Sequence, residues 1–399
     1  GTNETSFGPY DLKSTTRYVR WTYTKPTSND GNLGLGNIQI GTNSLIVDDN
    51  KELDPDFRGS VIVENGGKLT VEEGYITDLT IMAGGVVNAS EGILTINNLY
   101  LQSADHKSGQ LMIDNELFEM SGNAYFDLTL NAAPRTWYDF AVPFKVNRNS
   151  ISLANGGAMP EYDIIQYNGE TRATSGANKS AWEYVDEGDL NPGTFYMIMF
   201  ASNVETIRFT KNADAVLNNA EDVVVSEYEL QTGNPLDANW NGIANNTLQY
   251  VNFGFTEDDN ANIKAQVYHP GDKNYTTYKQ NEVTFVVGAP FFVQVAKEDF
   301  VYWNTTQIND ILRAPSNLTE SVGEFTLELI ANGVTYDRLF VSASEDATDS
   351  YQIGHDLAKM GISTTVAQMW INNYNTKLCA NEAVLINGQA TYQMEVFVP

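Results

Sequence analysis

The stretch Val61-Ile62-Val63-Glu64-Asn65-Gly66-Gly67-Lys68-Leu69-Thr70-Val71 lines up with Leu79-Thr80-Ile81-Met82-Ala83-Gly84-Gly85-Val86-Val87-Asn88-Ala89 at an offset of 18 residues. In each copy two apolar residues at i and i+2 precede a Gly-Gly pair, and a second such pair follows it. The i, i+2 spacing puts both side chains on one strand face. Eighteen residues are far too few for a domain but suffice for one coil of a solenoid. A single coil cannot bury its inward face, whereas stacked coils join those faces into one column.

The same spacing extends to both sides, in Ile38/Ile40, Leu45/Val47, Leu94/Ile96 and Leu99/Leu101, with Glu91-Gly92 as a further turn. It predicts about five coils over residues 37–130. An antiparallel meander would share the alternation; the fixed offset and the matching Gly-Gly pairs favour the coil. Ahead of it, residues 1–36 form an N-terminal cap segment in which Thr16 to Tyr23 alternates as a strand.

Beyond residue 130 the apolar runs become aromatic and irregularly spaced, as in Trp137–Phe144, Thr194–Phe200 and Thr284–Val295. They predict a β-sandwich or jelly roll over 131–315. Thr256–Asn262 reads as a solvated acidic loop. After Ala314-Pro315-Ser316-Asn317 a C-terminal β-domain is expected over 316–399, with strands at Glu324–Ile330 and Val334–Ser342, a turn at Ala331-Asn332-Gly333 and one short helix at 354–362. That domain reads as cut off after Pro399. The fold class is therefore all-β: a short right-handed parallel β-helix followed by β-sandwich domains.

The 399 residues suit two or three domains, and a 42% hydrophobic content supplies their cores. With 51 acidic against 23 basic residues the net charge is −28. Such a surface repels nucleic acid and anionic lipid. It suits solubility, and it is compatible with Ca²⁺. Cys379 is the one cysteine, so no intrachain disulfide forms, and its apolar flanks predict a buried thiol. No run of about 18 apolar residues is present to span a membrane. The start at Gly1, without Met or a signal peptide, reads as a mature or trimmed chain.

Three features resemble large secreted surface proteins of Bacteroidetes-type bacteria. They are the solenoid ending in Leu94–Leu101, the Trp137–Phe144 strand with Tyr167-Asn168-Gly169 and Pro192-Gly193-Thr194-Phe195-Tyr196 downstream, and Tyr336–Val341 with Glu345–Asp349. The resemblance covers most of residues 60–399, and its motifs are structural. It implies export to the cell surface and a role in adhesion to a host or neighbouring-cell protein or glycan. It implies neither a ligand identity nor a catalytic residue.

Candidate chemistry is sparse. Parallel β-helices include polysaccharide lyases and hydrolases, but those usually stack more coils and display carboxylates with bases on one strand face. Here the outward positions are Thr, Asn and Glu. His106, His269 and His355 lack metal-ligand spacing, and His355-Asp356 are adjacent, so they do not face each other. Asp237-Ala238-Asn239-Trp240-Asn241-Gly242 opens like a Ca²⁺ loop, with Asp237, Asn239 and Asn241 as candidate ligands. Its twelfth position is Leu248 rather than Glu, and a structural Asn/Gly turn is the alternative. Trp182, Tyr184, Tyr302 and Trp303 are candidate sugar-stacking rings, with core packing as the alternative. The expectation is a non-catalytic, extracellular adhesion protein without a cofactor beyond a candidate Ca²⁺. A carbohydrate-binding protein of a glycan-uptake system is the alternative, and a β-helix polysaccharide enzyme the third reading.

Overall fold

The computed structural model describes residues 44–176, 181–217, 223–269, 274–305, 324–331, 334–344, 347–361, 365–384 and 389–399. All of them belong to the part of the chain that begins at Thr42. The expected strand at Thr16–Tyr23, the Ile38/Ile40 pair, the break at Ala314–Asn317 and the Asn332-Gly333 turn lie outside the described residues. The protein is all-β, with 54% strand and 5% helix.

The solenoid follows from the repeat. Its strands are β1 (Ser44–Val47), β2 (Asn50–Glu52), β3 (Arg58–Val63), β4 (Lys68–Thr70), β5 (Glu73–Ile81), β6 (Val86–Ala89), β7 (Ile93–Ala104), β8 (Lys107–Ser108), β9 (Gln110–Ile113), β10 (Phe118–Met120) and β11 (Ala124–Ala132). β1, β3, β5, β7 and β11 pair in parallel, and β2, β4, β6 and β9 form a second parallel sheet. The register matches the sequence alignment: Val61 faces Leu79, Val63 faces Ile81 and Leu69 faces Val87.

Leu45, Val61, Leu79, Leu99 and Ala124 stack in one column, so successive coils span 16, 18, 20 and 25 residues. The described residues thus hold about four turns, and the Ile38/Ile40 pair counted toward the expected five lies outside them. The neighbouring column, Val47, Val63, Ile81, Leu101 and Phe126, is fully buried. Burying each such side chain contributes roughly 1.5–3 kcal/mol. The Gly-Gly pairs divide two tasks: Gly66 and Gly84 take φ of 89° and 86°, and their successors pass close to the coil below. A Cβ on Gly67 would sit 2.1 Å from the Val47 carbonyl oxygen, and one on Gly85 2.7 Å from that of Val63.

The last coil is not an end. β11 takes β7 in parallel on one edge and Val204–Thr210 antiparallel on the other. On the outer face Arg208 grips Asp127 through two 2.7 Å hydrogen bonds. The guanidinium also covers the Tyr100 and Tyr125 rings, which stack at 4.8 Å. The second sheet is met by the segment Leu248–Tyr250: the Leu111 N–H donates to the Leu248 carbonyl and the Tyr250 N–H to Gln110 Oε1, both at 2.9 Å. One core thus runs without a break from Val47 to Val287, so sheet and core both cross residue 131.

Next come two layered units. Tyr138–Phe140, Tyr196–Phe200, Tyr162–Tyr167 and Trp182–Tyr184 form an antiparallel sheet that closes over Phe126 and Phe209. Trp240–Ala244, Pro290–Gln294, Lys264–His269 and Asn274–Lys279 form another, which faces Val223–Val225, Asp299–Thr305 and Val251–Phe255 across a cluster of Phe253, Phe285, Phe291 and Trp303. The expected continuous strand Thr284–Val295 is broken, because the chain changes sheets at Gly288 (φ 69°). The Thr256–Asn262 loop exposes its acids yet is pinned: Asn260 is fully buried and bonds Asp299, Ala296 and Lys297.

The C-terminal sheet, Glu324–Ala331, Val334–Ser344, Thr376–Val384, Gln368–Asn373 and Met394–Phe397, curls into a half-barrel. The helix expected over 354–362 is absent from the described residues 354–361; Leu357–Ala358 pair with the Thr376–Val384 strand instead. Asp356 decides this, because its carboxylate accepts from the Gln352 and Glu382 N–H groups and from Asn381. Helix forms elsewhere: after Tyr167, Asn168 is the N-cap of α1 (Gly169–Ser175), its Oδ1 accepting from the Thr171 N–H.

Candidate functional site

A cavity of about 280 Å³ opens between the Tyr162–Tyr167 strand, the N-terminus of α1, the Pro192–Thr194 turn, the Val223–Val225 strand and the Trp240–Ala244 strand. Asn168 fixes one wall: its side chain caps α1 and donates to Glu183 Oε1 at 2.7 Å, which sets Gly169 against the Tyr228 ring. A Cβ on Gly169 would lie 2.5 Å from that ring and 2.0 Å from the Trp240 carbonyl oxygen. Asn239 and Asn241 fix the opposite wall. Asn239 Oδ1 accepts from the Tyr228 N–H at 2.8 Å, and Asn241 Oδ1 accepts from the Ser226 N–H at 3.0 Å and from the Tyr228 hydroxyl at 3.3 Å. Asn241 Nδ2 donates to the Ser226 and Asn239 carbonyls. Burial pushes the Tyr228 phenol above its ordinary range, so it keeps its proton at neutral pH.

Among the described residues, those lining the cavity are uncharged, and Thr194, Tyr228, Asn241 and Asn246 supply side-chain hydroxyls and amides. At the rim, Val224 is 50% exposed and pairs with Phe300, 51% exposed. Two residues on, Tyr302 shares the same outer face, and its ring lies on Gly254, where a Cβ would come within 2.3 Å. A second, larger hollow of about 590 Å³ is lined by Arg135, Glu161 and Asp163 with Met159 and Met199.

The four aromatic candidates divide. Trp182 is a core ring, set edge-on to Tyr167, Phe195 and Phe292 at 5.3, 5.6 and 6.0 Å. Trp303 points inward, edge-on to Phe291. Tyr184 is exposed on the outermost strand of its sheet, and Tyr302 is exposed on the platform beside the cavity. They form no single platform, because Tyr302 and Trp303, being adjacent in a strand, face opposite ways.

The candidate Ca²⁺ ligands Asp237, Asn239 and Asn241 all have protein partners. Asp237 Oδ1 faces Arg172 Nε at 3.5 Å, while Asn234 donates to Oδ2. The two asparagines spend their oxygens on the Ser226–Tyr228 loop. Leu248, at the twelfth position, is fully buried and caps the solenoid. His355 pairs with Glu382 at 2.7 Å and not with Asp356. Cys379 is fully buried, and burial pushes its thiol up to about 11.

Sequence reading brought Asn239, Asn241 and Tyr302 to the region of the cavity but missed Thr194, Tyr228 and Asn246. The nearest signal was the asparagine density of 239–246, which reads as turn chemistry until the fold closes it around Tyr228. Among the described residues, no helix is long and apolar enough to cross a membrane. In comparison with known proteins, no family model, no curated protein and no solved structure matches the chain.

Proposed function

We propose that this chain is a non-catalytic, extracellular or cell-surface binding protein working in adhesion, with the solenoid as a spacer and the layered sheets as the presenting part. The observation behind this reading is the joint. β11 is laddered on both edges, and Leu248 and Tyr250 close the second sheet. A load on the sandwich therefore passes through sheet hydrogen bonds and one packed core. Four inter-coil steps of about 4.8 Å give a spacer of roughly 20 Å. The acidic surface keeps such a protein soluble and off anionic membranes. The uncharged cavity favours the second reading, a carbohydrate-binding protein, over recognition of an ionic partner.

The test is binding of the fluorescently labelled chain to epithelial and bacterial cells, with parallel incubation on pectin, alginate and glycosaminoglycans. Saturable cell binding without shortening of the polysaccharides is expected. Absence of binding, or measurable depolymerisation, would overturn the reading.

A further inference from the structure

We propose that the cavity is a subsite for a neutral carbohydrate, with one sugar ring among its hydroxyls and amides and the adjoining units laid across Val224 onto Phe300 and Tyr302. This rests on the reading of the chain as a binding protein and names the chemistry of its ligand.

Three observations converge. The first is chemical type. Sugar hydroxyls both donate and accept, and they are matched by groups that do likewise without formal charge. Tyr228, Thr194 and Asn246 line the cavity in that way, and among the described residues no charged side chain shares the lining, with Glu170 within electrostatic reach of Tyr228. An ionic ligand would be desolvated there without a counter-charge, and a protein of net charge −28 repels acidic sugars at long range.

The second is shape. At about 280 Å³ the cavity matches the small end of ligand pockets, enough for one ring and too little for a peptide segment. Glycines at 169, 193 and 242 thin its walls. On Gly193, which takes φ of 79°, a Cβ would reach within 2.9 Å of Val223.

The third is the platform. Phe300 and Tyr302 are two residues apart on one strand and hence on one face, about 6.7 Å apart along it. Both stay exposed although they are large and apolar, which leaves their faces open to a ligand. Gly254 leaves the Tyr302 ring room over the neighbouring strand. Val224 joins the two halves, because it lines the cavity and is the register partner of Phe300.

The experiment is an array of neutral oligosaccharides (gluco-, manno-, xylo- and galacto-oligomers and N-acetylglucosamine-containing chains) beside acidic ones (polygalacturonate, alginate, heparan sulfate, sialylated chains). Wild type, Tyr302→Ala and Tyr228→Phe are compared. Capture of at least one neutral oligosaccharide is expected, and it should persist in high salt, since no charge carries it. Affinity should fall tenfold or more in both variants, with the melting temperature of Tyr302→Ala unchanged. Capture of acidic chains alone, capture indifferent to both substitutions, or a silent array would overturn the proposal. A silent array with cell binding intact removes the carbohydrate and keeps adhesion; neutral capture without cell binding does the reverse.

Discussion

Asp139 is half-exposed as a residue, yet its carboxyl is enclosed within electrostatic reach of the Tyr268 and Tyr275 rings, and burial pushes it up to about 7. The sign follows from proton binding. Between pH 4 and pH 7 the folded chain holds a proton that the unfolded chain has released, so this group favours folding at low pH. It costs the fold nothing below about pH 4, and its penalty grows as pH rises through that window. At about 1.4 kcal/mol per unit the full effect is at most ~4 kcal/mol. Asp139→Asn should therefore raise the urea midpoint at pH 8 and change it little at pH 4, and equal effects at both would refute the assignment. Gly85 offers a second test at this scale. Its Cβ would meet the carbonyls of Val63 and Glu64, backbone that belongs to the coil below. Gly85→Ala should cost about 1–3 kcal/mol in denaturant unfolding, whereas Gly188→Ala, with open space around it, should cost only its φ strain.

At the scale of elements, the joint and the buried ion pair carry the argument. Arg208 holds Asp127 across the antiparallel pairing of β11 and stacks on Tyr100 and Tyr125 from two coils. Arg208→Ala strands a carboxylate that is 4% exposed and should cost about 3 kcal/mol. In the half-barrel, Lys359 and Asp337 are both fully buried and meet at 2.7 Å. Lys359→Met alone should cost about 3–5 kcal/mol, and adding Asp337→Leu should recover part of it. The Met369 N–H, which also donates to Asp337, limits that recovery. These elements also show what was legible in the sequence. The coil register could be read because a period of two, a fixed offset and paired glycines all repeat locally. The joint, the sheet change at Gly288 and the short strand Leu357–Ala358 could not. Each is decided by a partner far along the chain, such as Asp127 with Arg208, and no local pattern encodes that meeting. The cavity was legible only as scattered asparagines and one tyrosine for the same reason: its walls come from five separate segments.

For the molecule as a whole, continuity of sheet and core predicts that the solenoid and the sheets following it unfold together. Calorimetry should show one dominant transition for this part, displaced as a unit by Arg208→Ala; two transitions, one of them indifferent to that substitution, would separate stalk from presenting part. The function argued for needs that unity, since a spacer helps an adhesin only if the ligand-bearing part cannot swing free of it. The most direct measurement is retention of beads coated with the intact chain on a layer of the cells it binds, under rising flow. Retention well above that of bare beads is expected, reduced by Tyr302→Ala. Release at the same flow as bare beads would contradict it.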